Sequence, residues 1–312
     1  MMMRMAYYLG VDAGGTKTEC ALADDQRIVA RATSGCIKPL RVTPEEAERN
    51  LRSVLEKIAS QSGVSMQQIA ATSVGTAGLR FPETRAQLGE LFRLMVSGEV
   101  EICGDEEIAL DAAFPGKHGV LVIAGTGSNT LGRLSNGETL TVGGWGQGIG
   151  DEGSGYWIGR RALNLACQAH DRDEPGMLLD KIIGFWGVTS LGAVVAHANQ
   201  TPFPDFSALA PVVVECAEAG DAVSTQALVE AGNWLAASAV LAFRKVRRRE
   251  PAATEAPGIA LVGSILRHVR MVRETMFETV RRELPGVVIL EEAVDAVEGA
   301  VWRARQLAAQ VR

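Results

Sequence analysis

The stretch Gly119–Gly159 reads GVLVIAGTGSNTLGRLSNGETLTVGGWGQGIGDEGSGYWIG. Its apolar run Val120–Ala124 stops abruptly at Gly-Thr-Gly-Ser, and this pattern predicts a buried strand that ends in a glycine turn. Glycines lack a Cβ atom, so the backbone N–H groups of such a turn can approach an anion closely. We therefore interpret Gly125, Thr126 and Gly127 as candidate phosphate ligands.

Two further strands and a second glycine-rich loop follow this turn. The Asn136-Gly137 pair lies between two apolar runs and predicts a tight hairpin. The next loop, Gly143–Gly153, holds six glycines around one tryptophan and two acids. Glycine at this density disfavours a regular helix or strand, and a tryptophan near an acid, here Trp145 and Asp151, suits a polyhydroxy ligand. A phosphate turn and a sugar-type loop on one hairpin predict phosphoryl transfer.

The same loop also contains a glycine spacing that is typical of dinucleotide-binding folds, in residues Gly148–Gly153. Asp151 and Glu152 would repel a pyrophosphate there, and the segment that follows is a succession of helices rather than a βαβ unit. We therefore reject the dinucleotide interpretation of this loop.

A similar strand and turn open the chain. Tyr7–Val11 predicts a strand, Asp12–Thr18 (DAGGTKT) predicts a glycine turn, and Glu19–Ala23 predicts the returning strand. Four residues of the turn offer phosphate ligands as N–H groups, a hydroxyl or a positive charge: Gly14, Gly15, Thr16 and Lys17. Asp12 is a candidate ligand for a hydrated Mg²⁺. An ordinary β-hairpin turn is the alternative for this segment taken alone.

An acid follows the end of another predicted strand. Val100–Cys103 predicts a short strand, and Gly104–Glu107 leads from it into an apolar helix. Asp105 at this position is either an N-cap of that helix or a general base. As a base it would lie in the same row of strand-end loops as Asp12 and Thr126, where α/β folds place their sites.

Composition and charge disfavour several functional classes. The 312 residues are 47% hydrophobic, enough for two domains with separate cores. The net charge of −6 speaks against nucleic acid as a partner, and the basic run Arg244–Arg249 is interpreted as the complement of a helix dipole. No apolar run reaches the ~18 residues of a membrane span, so we predict a cytoplasmic protein without a membrane partner. The five cysteines are scattered, and the four histidines show no metal-ligand spacing.

The chain has the outline of two similar halves. Each half opens with an antiparallel meander whose first turn is glycine-rich, and helix–strand units follow in both. We predict an N-terminal lobe over residues 1–115 and a C-terminal lobe over residues 116–291. A last helix, at about 292–312, is expected to pack back on the first lobe. Facing each other, two such halves would place both glycine turns on one cleft. A homodimer is a candidate assembly, although no stretch indicates an interface.

Several sequence blocks occur in a distinctive order: DAGGTKT at 12–18, GTGSN at 125–129, GGWGQGIGDEGSGYWIG at 143–159, Gly263-Ser264 and Glu298–Ala300. Together they resemble the BadF/BadG/BcrA/BcrD ATPase family, and within it the N-acetylglucosamine kinases of the sugar kinase–actin–Hsp70 superfamily. The resemblance spans nearly the whole chain. It implies an α/β, two-lobed, actin-like ATPase (ribonuclease H-like) fold. Each lobe would be a five-stranded mixed sheet flanked by helices, and the lobes would close on ATP and substrate.

The resemblance also implies roles for individual residues. Asp105 matches the catalytic aspartate of the family, while Gly263 and Ser264 match its adenosine contact. The two phosphate loops match Gly14–Lys17 and Gly125–Gly127. The candidate sugar ligands are Asp105 itself, Thr76, Gly144, Trp145, Gly146 and Asp151. The implied cofactors are ATP and Mg²⁺, with the metal held near Asp12.

One position departs from the family pattern. Where the family usually has Asn in the loop after the third strand, this chain has Lys38, just before Pro39. Lys only donates hydrogen bonds and carries a positive charge, whereas Asn both donates and accepts. One hypothesis is that Lys38 favours a sugar that bears a carboxylate, such as an N-acetylmuramic acid-like compound. The alternative is that Lys38 points to solvent and another residue binds the sugar.

These observations predict an ATP-dependent kinase that phosphorylates a hydroxyl group of an amino sugar similar to N-acetylglucosamine, with Asp105 as the base. A kinase for glucosamine or for an acidic amino sugar is an alternative. A non-catalytic sugar sensor is a further alternative, which the acid at position 105 speaks against. The last alternative is an activator ATPase of the same family, which needs clustered cysteines that this sequence does not contain.

Overall fold

The computed structural model describes residues 6–39, 41–79, 81–174 and 176–310. The chain forms two compact units. One unit runs to Lys117 and resumes from Val294, and the other is His118–Ala293. The functional lobes at 1–115 and 116–291 stay a prediction. Residues 311 and 312 of the predicted last helix lie outside the described residues.

Strands and helices follow one another as in an α/β chain. The strands are β1 (Tyr7–Ala13), β2 (Lys17–Ala23), β3 (Ile28–Gly35), β4 (Ile69–Thr76), β5 (Glu99–Cys103), β6 (Gly119–Ala124), β7 (Ser128–Arg133), β8 (Thr139–Gly143) and β9 (Gly258–Val262). The α-helices are α1 (Pro44–Ser62), α2 (Pro82–Arg93), α3 (Asp105–Ala113), α4 (Gly155–Asp171), α5 (Leu178–Trp186), α6 (Leu191–Ala198), α7 (Ala210–Glu218), α8 (Ala222–Arg249), α9 (Ser264–His268), α10 (Arg270–Glu283) and α11 (Ala296–Gln310).

The sheet of the first unit has the spatial order β3-β2-β1-β4-β5. Strands β1, β2 and β3 form the antiparallel meander that the glycine turn after Val11 predicts, and β4 and β5 extend the sheet in parallel with β1. Helix α1 covers this sheet with a buried stripe at helical spacing that includes Leu51, Val54 and Ile58. Because β1, β4 and β5 are parallel, their carboxyl ends meet at one edge.

Helix α11 packs back on β1 and on α3 in the first unit. At two crossings the backbones lie too close for a side chain. A Cβ atom on Gly299 would lie 1.8 Å from the carbonyl oxygen of Ile108, and one on Gly10 would lie 2.5 Å from the nitrogen of Val301. Glycine at these positions lets the end of the chain hold α3 against the sheet.

Helix α11 begins later than the sequence predicts, at Ala296 rather than near residue 292. The side chain of Asp295 accounts for this start, because its Oδ1 accepts a hydrogen bond from the N–H of Val297 (3.2 Å). The other oxygen of Asp295 binds Nη1 of Arg31 on β3 (2.5 Å).

The sheet of the second unit has the order β8-β7-β6-β9, so the described residues form four strands there rather than the five implied by the resemblance. The short apolar segment 287–290 is the sequence's candidate for the fifth strand. In that segment Ile289 forms a single parallel bridge to Ile259. The pairing stops there because the segment is short: it follows the turn at Gly286, and Val288 turns 64% of its surface to solvent.

The rest of the second unit is largely helical, as predicted. Helices α4, α7, α8 and α10 pack around the sheet with a continuous apolar core. The helical segment that follows Gly263 is interrupted at Val269, which separates α9 from α10. Within the described part of the chain no single helix is long and apolar enough to cross a membrane; by length and composition alone, the bent pair of α5 and α6 could.

Candidate functional site

The parallel strands of the first unit bring three predicted residues to one edge of the sheet. Asp12 lies opposite Gly75 in the strand register, and Gly75 lies opposite Cys103. Thr76 is the buried last residue of β4, and its hydroxyl donates to a main-chain carbonyl of β1 (3.3 Å). Asp105 lies two residues beyond the end of β5. Residues that are far apart in the sequence therefore share this edge.

The carboxyl group of Asp12 is half-buried beside other charges. Burial and the negative charge of Asp105 raise the pKa of Asp12 from 3.8 to about 6, while the positive charge of Lys38 opposes this rise. The charge of Glu19 raises this pKa further, and that of Lys17 lowers it. The structure thus places Lys38 where it acts on Asp12.

Asp105 is the first residue of α3, and Gly104 occupies the N-cap position before it. The N–H of Gly104 donates to Oε1 of Glu107 (3.0 Å), and Glu107 also forms an ion pair with Arg303 of α11 (3.3 Å). Glu107 therefore satisfies the start of the helix. The half-buried carboxyl of Asp105, whose Oδ1 accepts the N–H of Glu106 (3.1 Å), remains available for chemistry.

Sequence reasoning missed Glu106. Burial of this half-exposed side chain, together with a hydrogen bond to the side chain of Asp105, raises the pKa of Glu106 to about 7. The available signal was the run of three acids at the start of α3, directly after a strand. Periodicity cannot tell which of three adjacent acids turns towards a site.

The predicted first phosphate turn connects β1 to β2. Gly15 and Thr16 are exposed, and a Cβ atom on Gly15 would meet nothing within 4 Å, whereas one on Gly14 would lie 2.9 Å from the carbonyl oxygen of Lys17. The Nζ of Lys17 pairs with Glu19 (3.3 Å), but the lysine side chain is 65% exposed. Such a pair contributes little, so the lysine can turn towards an anion.

The predicted second phosphate turn lies against the start of α4. The N–H of Gly125 donates to the carbonyl of Gly127 (2.9 Å), which closes the turn. The N–H groups of Gly155 and Tyr156, in the first turn of α4, donate to the carbonyls of Gly125 (2.8 Å) and Thr126 (3.3 Å). These bonds occupy the carbonyl oxygens on the helix side.

A cavity of about 490 Å³ opens beside this turn in the second unit. Gly125, Thr126 and Ser264 line it, so three of the predicted nucleotide ligands meet here. The remaining wall is mainly apolar, with acids and a histidine among it: Gly155, Ser207, Ala210, Pro211, Val214, Glu215, Glu218, Ile265, His268 and Val269. A flat heteroaromatic ring suits such a wall. Sequence reasoning missed the contribution of α7.

Gly263 precedes Ser264 and takes a conformation that other residues rarely adopt. Its φ is +108°, and a Cβ atom on it would lie 2.2 Å from the carbonyl oxygen of Ala124. Glycine is therefore required where the chain leaves β9 beside the end of β6. This close approach carries Ser264 to the cavity.

The predicted sugar loop is organised by Asp151. This residue is buried with φ of +62°, and its Oδ1 accepts the N–H of Gly146 (3.0 Å). Burial raises the pKa of Asp151, against the effect of the hydrogen bond from Gly146. A Cβ atom on Gly127 would lie 2.7 Å from Asp151 Oδ2, so this carboxyl connects the loop to the phosphate turn. Trp145 remains 73% exposed.

Asn129 is a second residue that sequence reasoning did not assign to a ligand. A Cβ atom on Gly144 would lie 2.8 Å from Oδ1 of Asn129, which places the amide beneath the start of the sugar loop. This oxygen is buried and has no hydrogen-bond partner within the described ranges. Buried polar atoms are normally paired, so the oxygen is suited to a donor from a ligand.

The oxygen ligands at the carboxyl edge of the first sheet suit a hard cation. Mg²⁺ prefers oxygen ligands and usually keeps several waters, so it needs only one or two carboxylates from a protein. Asp12, with Asp105 acting on it electrostatically, meets this need. Residues 6–39, 41–79, 81–174 and 176–310 contain no group of three or more His, Cys, Asp or Glu that could hold a metal ion.

Comparison with known proteins relates these features to a family. The model of the BadF/BadG/BcrA/BcrD ATPase family matches residues 9–304. An N-acetylmuramic acid/N-acetylglucosamine kinase of Clostridium acetobutylicum is 29% identical over 308 residues, which cover 96% of this chain and 99% of that protein. An N-acetyl-D-glucosamine kinase of Dictyostelium discoideum is 28% identical over 253 residues, or 75% of this chain and 78% of the relative.

A solved structure extends the comparison. A candidate N-acetylglucosamine kinase from Chromobacterium violaceum superposes with a TM-score of 0.72 at 25% identity, and the match covers 98% of this chain and all of the other. The predicted resemblance and the predicted α/β, actin-like sugar kinase fold are confirmed by these matches.

Proposed function

The chain belongs to the BadF/BadG/BcrA/BcrD ATPase family, and we propose that it is an ATP-dependent kinase that phosphorylates a hydroxyl group of an amino sugar similar to N-acetylglucosamine. The observation that carries this proposal is the placement of Asp12 and Asp105 at the carboxyl edge of β1 and β5, where two carboxyl groups interact. One acid serves as base and the other as metal ligand. The amino sugar kinases among its relatives support the substrate class.

ATP is the phosphoryl donor. Its adenine ring occupies the cavity of the second unit against Val214 and Ile265, with Ser264 at the nucleoside. Gly263, directly before Ser264, is the other proposed contact. The turn Gly125–Gly127 supplies phosphate ligands at Thr126 and Gly127, since the N–H of Gly125 closes the turn. The turn Gly14–Thr16 and the charge of Lys17 supply further ones. Nitrogen donors and a lysine compensate the negative charge that develops on the transferred phosphoryl group.

Asp105 accepts the proton of the sugar hydroxyl as the hydroxyl oxygen attacks the γ-phosphorus, and the bond from that phosphorus to the bridging oxygen breaks, so that ADP leaves. A general base must carry a carboxylate oxygen that is not consumed by the helix start, and Glu107 caps α3 in its place. Asp12 would hold a hydrated Mg²⁺, which supplies charge compensation for the phosphates when it is bound.

Most of the proposed sugar ligands belong to the glycine-rich loop Gly143–Gly153. Trp145 packs on the apolar face of the ring, and the N–H groups of the loop at Gly144 and Gly146 bind its hydroxyl groups. Asp151 keeps this loop in shape through Gly146 and is the proposed acceptor for a sugar hydroxyl. Asn129 offers its unpaired oxygen to a donor of the substrate. Thr76, at the edge of the first sheet, is a further proposed sugar ligand.

The identity of the sugar depends on Lys38. This half-buried side chain lies close enough to Asp12 to affect its pKa, so its charge is available at the acidic edge. An ammonium group there favours a sugar with a carboxylate, such as N-acetylmuramic acid. The Clostridium relative, described as a kinase of both N-acetylmuramic acid and N-acetylglucosamine, supports this choice. Glucosamine is the alternative substrate. A cytoplasmic location and a homodimer stay predictions.

The test is ATP turnover measured with N-acetylglucosamine, glucosamine, N-acetylmuramic acid, glucose and no sugar. The proposal expects stimulation by an amino sugar and its loss in Asp105→Asn. Turnover that ignores every sugar would contradict it in favour of an ATPase without a sugar acceptor. Tight sugar binding without any turnover would contradict it in favour of a sensor.

A further inference from the structure

Glu106 has no role in the reaction described above, yet its side chain turns towards the proposed base. The two side-chain carboxyl groups of Asp105 and Glu106 are within hydrogen-bonding reach. The Glu106 carboxyl also folds back over the N-cap, because a Cβ atom on Gly104 would lie 2.7 Å from its Cδ and Oε1. Gly104 leaves the space that this orientation needs.

We propose that Glu106 is a positioning residue for the phosphoryl transfer: its carboxyl keeps a proton and donates it in a hydrogen bond to Asp105, which stays the anionic member of the pair. The inference rests on the proposed kinase function, in which Asp105 is the base. Two carboxyl groups this close share one proton, because two negative charges at that distance repel each other strongly.

The surroundings decide which acid keeps the proton. Glu106 is half-buried, and the charged groups that face it are Asp105 and Glu107. Glu107 is engaged with the N–H of Gly104 and with Arg303, and its charge acts on Glu106 less strongly than that of Asp105. Burial and this neighbour raise the pKa of Glu106 to about 7, so the carboxyl is largely protonated below that pH.

The hydrogen bond has a consequence for the base. Asp105 is fixed by two donors from the same residue, the N–H and the carboxyl of Glu106. Its rotation is thereby restricted, and an oxygen is presented to the sugar hydroxyl in one orientation. Glu106 keeps its own proton throughout, and the proton from the sugar goes to Asp105. When Glu106 ionises, it ceases to donate and adds a negative charge beside the base.

The kinetic test compares Glu106→Gln, Glu106→Ala and the matched control Glu107→Gln. Glutamine at 106 still donates a hydrogen bond, so kcat is expected to stay within about threefold of the wild type, whereas alanine lowers kcat about tenfold with KM values unchanged. Wild-type kcat falls as the pH rises through about 7, and Glu106→Gln lacks this fall. Glutamine at 107 still accepts the N–H of Gly104, so this control should keep the wild-type kcat at neutral pH and keep the alkaline fall, displaced slightly because one minor negative charge near Glu106 is gone.

The proposal is overturned if Gln and Ala at position 106 lose the same activity, or if Glu106→Gln keeps the alkaline fall. A second readout needs no turnover. In carboxyl-¹³C-labelled protein, the Glu106 resonance, assigned by its disappearance in Glu106→Gln, is expected to titrate near pH 7. In Asp105→Asn it should titrate about one unit lower or more, because the neighbouring charge is gone.

These two readouts separate the inference from the proposed function. If no sugar is phosphorylated but the resonance of Glu106 shifts with Asp105→Asn, the proton-sharing pair is supported and only the kinase assignment fails. If the titration midpoint of Glu106 is the same in Asp105→Asn as in the wild type, the proposal is overturned, whichever substrate the enzyme phosphorylates.

Discussion

The acidic edge of the first unit and the cavity of the second are built in different ways. At the edge, the candidate groups are side chains: Asp12, Asp105 and Lys38 interact through their charges. At the cavity, the candidate phosphate ligands belong to a backbone turn, and the wall beside it is formed by helices far along the chain. Substitution of one side chain at the edge should therefore lower kcat strongly. At the cavity, substitutions that change the volume available to the nucleotide should raise the KM for ATP.

The largest effect is expected from Asp105→Asn, which removes the base but keeps the size of the side chain. We expect kcat to fall by about 10²–10⁴-fold, the range that a positioned general base contributes. ATP affinity, measured by calorimetry, should stay near the wild-type value, because the nucleotide cavity contains other residues. A variant that keeps more than a tenth of the wild-type kcat would remove Asp105 from the reaction.

In the cavity of the second unit, the test that parallels Asp105→Asn is Val214→Trp, which reduces the cavity volume. A larger side chain fills space that the adenine ring needs, and we expect the KM for ATP to rise about 10–100-fold. The matched control is Val195→Trp, on the exposed side of α6 and away from the cavity. An unchanged KM for ATP in Val214→Trp would place the nucleotide elsewhere.

Lys38→Asn tests whether the charge of Lys38 at the acidic edge determines which sugar the enzyme prefers. Asparagine removes the ammonium group, so kcat/KM for N-acetylmuramic acid should fall about tenfold relative to that for N-acetylglucosamine. The ratio of the two kcat/KM values is the measurement, because it cancels general damage to the enzyme. An unchanged ratio would favour a lysine that points to solvent.

The smallest effect concerns stability and its dependence on pH. The pKa of Asp12 is raised from 3.8 to about 6 in the folded state, so its contribution to stability is complete below about pH 4 and is lost as the pH rises through about 6. Asp12→Asn lacks this loss. In metal-free buffer at pH 8 it should melt about 2–4 °C above the wild type, the shift expected for ~1 kcal/mol.

The control for this measurement is Asp173→Asn, an exposed position with φ of +53° that asparagine tolerates. Its melting temperature should follow that of the wild type across the pH range. If Asp12→Asn also follows the wild type, the carboxyl group of Asp12 is not perturbed by its neighbours.

Much of the fold was predictable because local patterns carry it. The glycine turns after Val11 and Ala124 predict the two meanders, and Thr43 with Gly63 predicts the ends of α1. The prediction of a fifth strand in the second sheet was wrong. A short apolar run such as 287–290 fits a strand locally, but the neighbouring strand decides how many of its residues pair. The helix start near residue 292 was wrong because Asp295 sets it later.

The sequence by itself determined the family, the α/β class and the residues able to carry the chemistry, because glycine turns and strand-end acids are encoded by neighbours in the chain. Only the tertiary structure decided which of the two glutamates after Asp105 turns towards it, and that α7 lines the nucleotide cavity. It also decided that Asp151 holds the sugar loop through Gly146. These facts depend on burial and on contacts between distant segments, and a linear pattern contains neither.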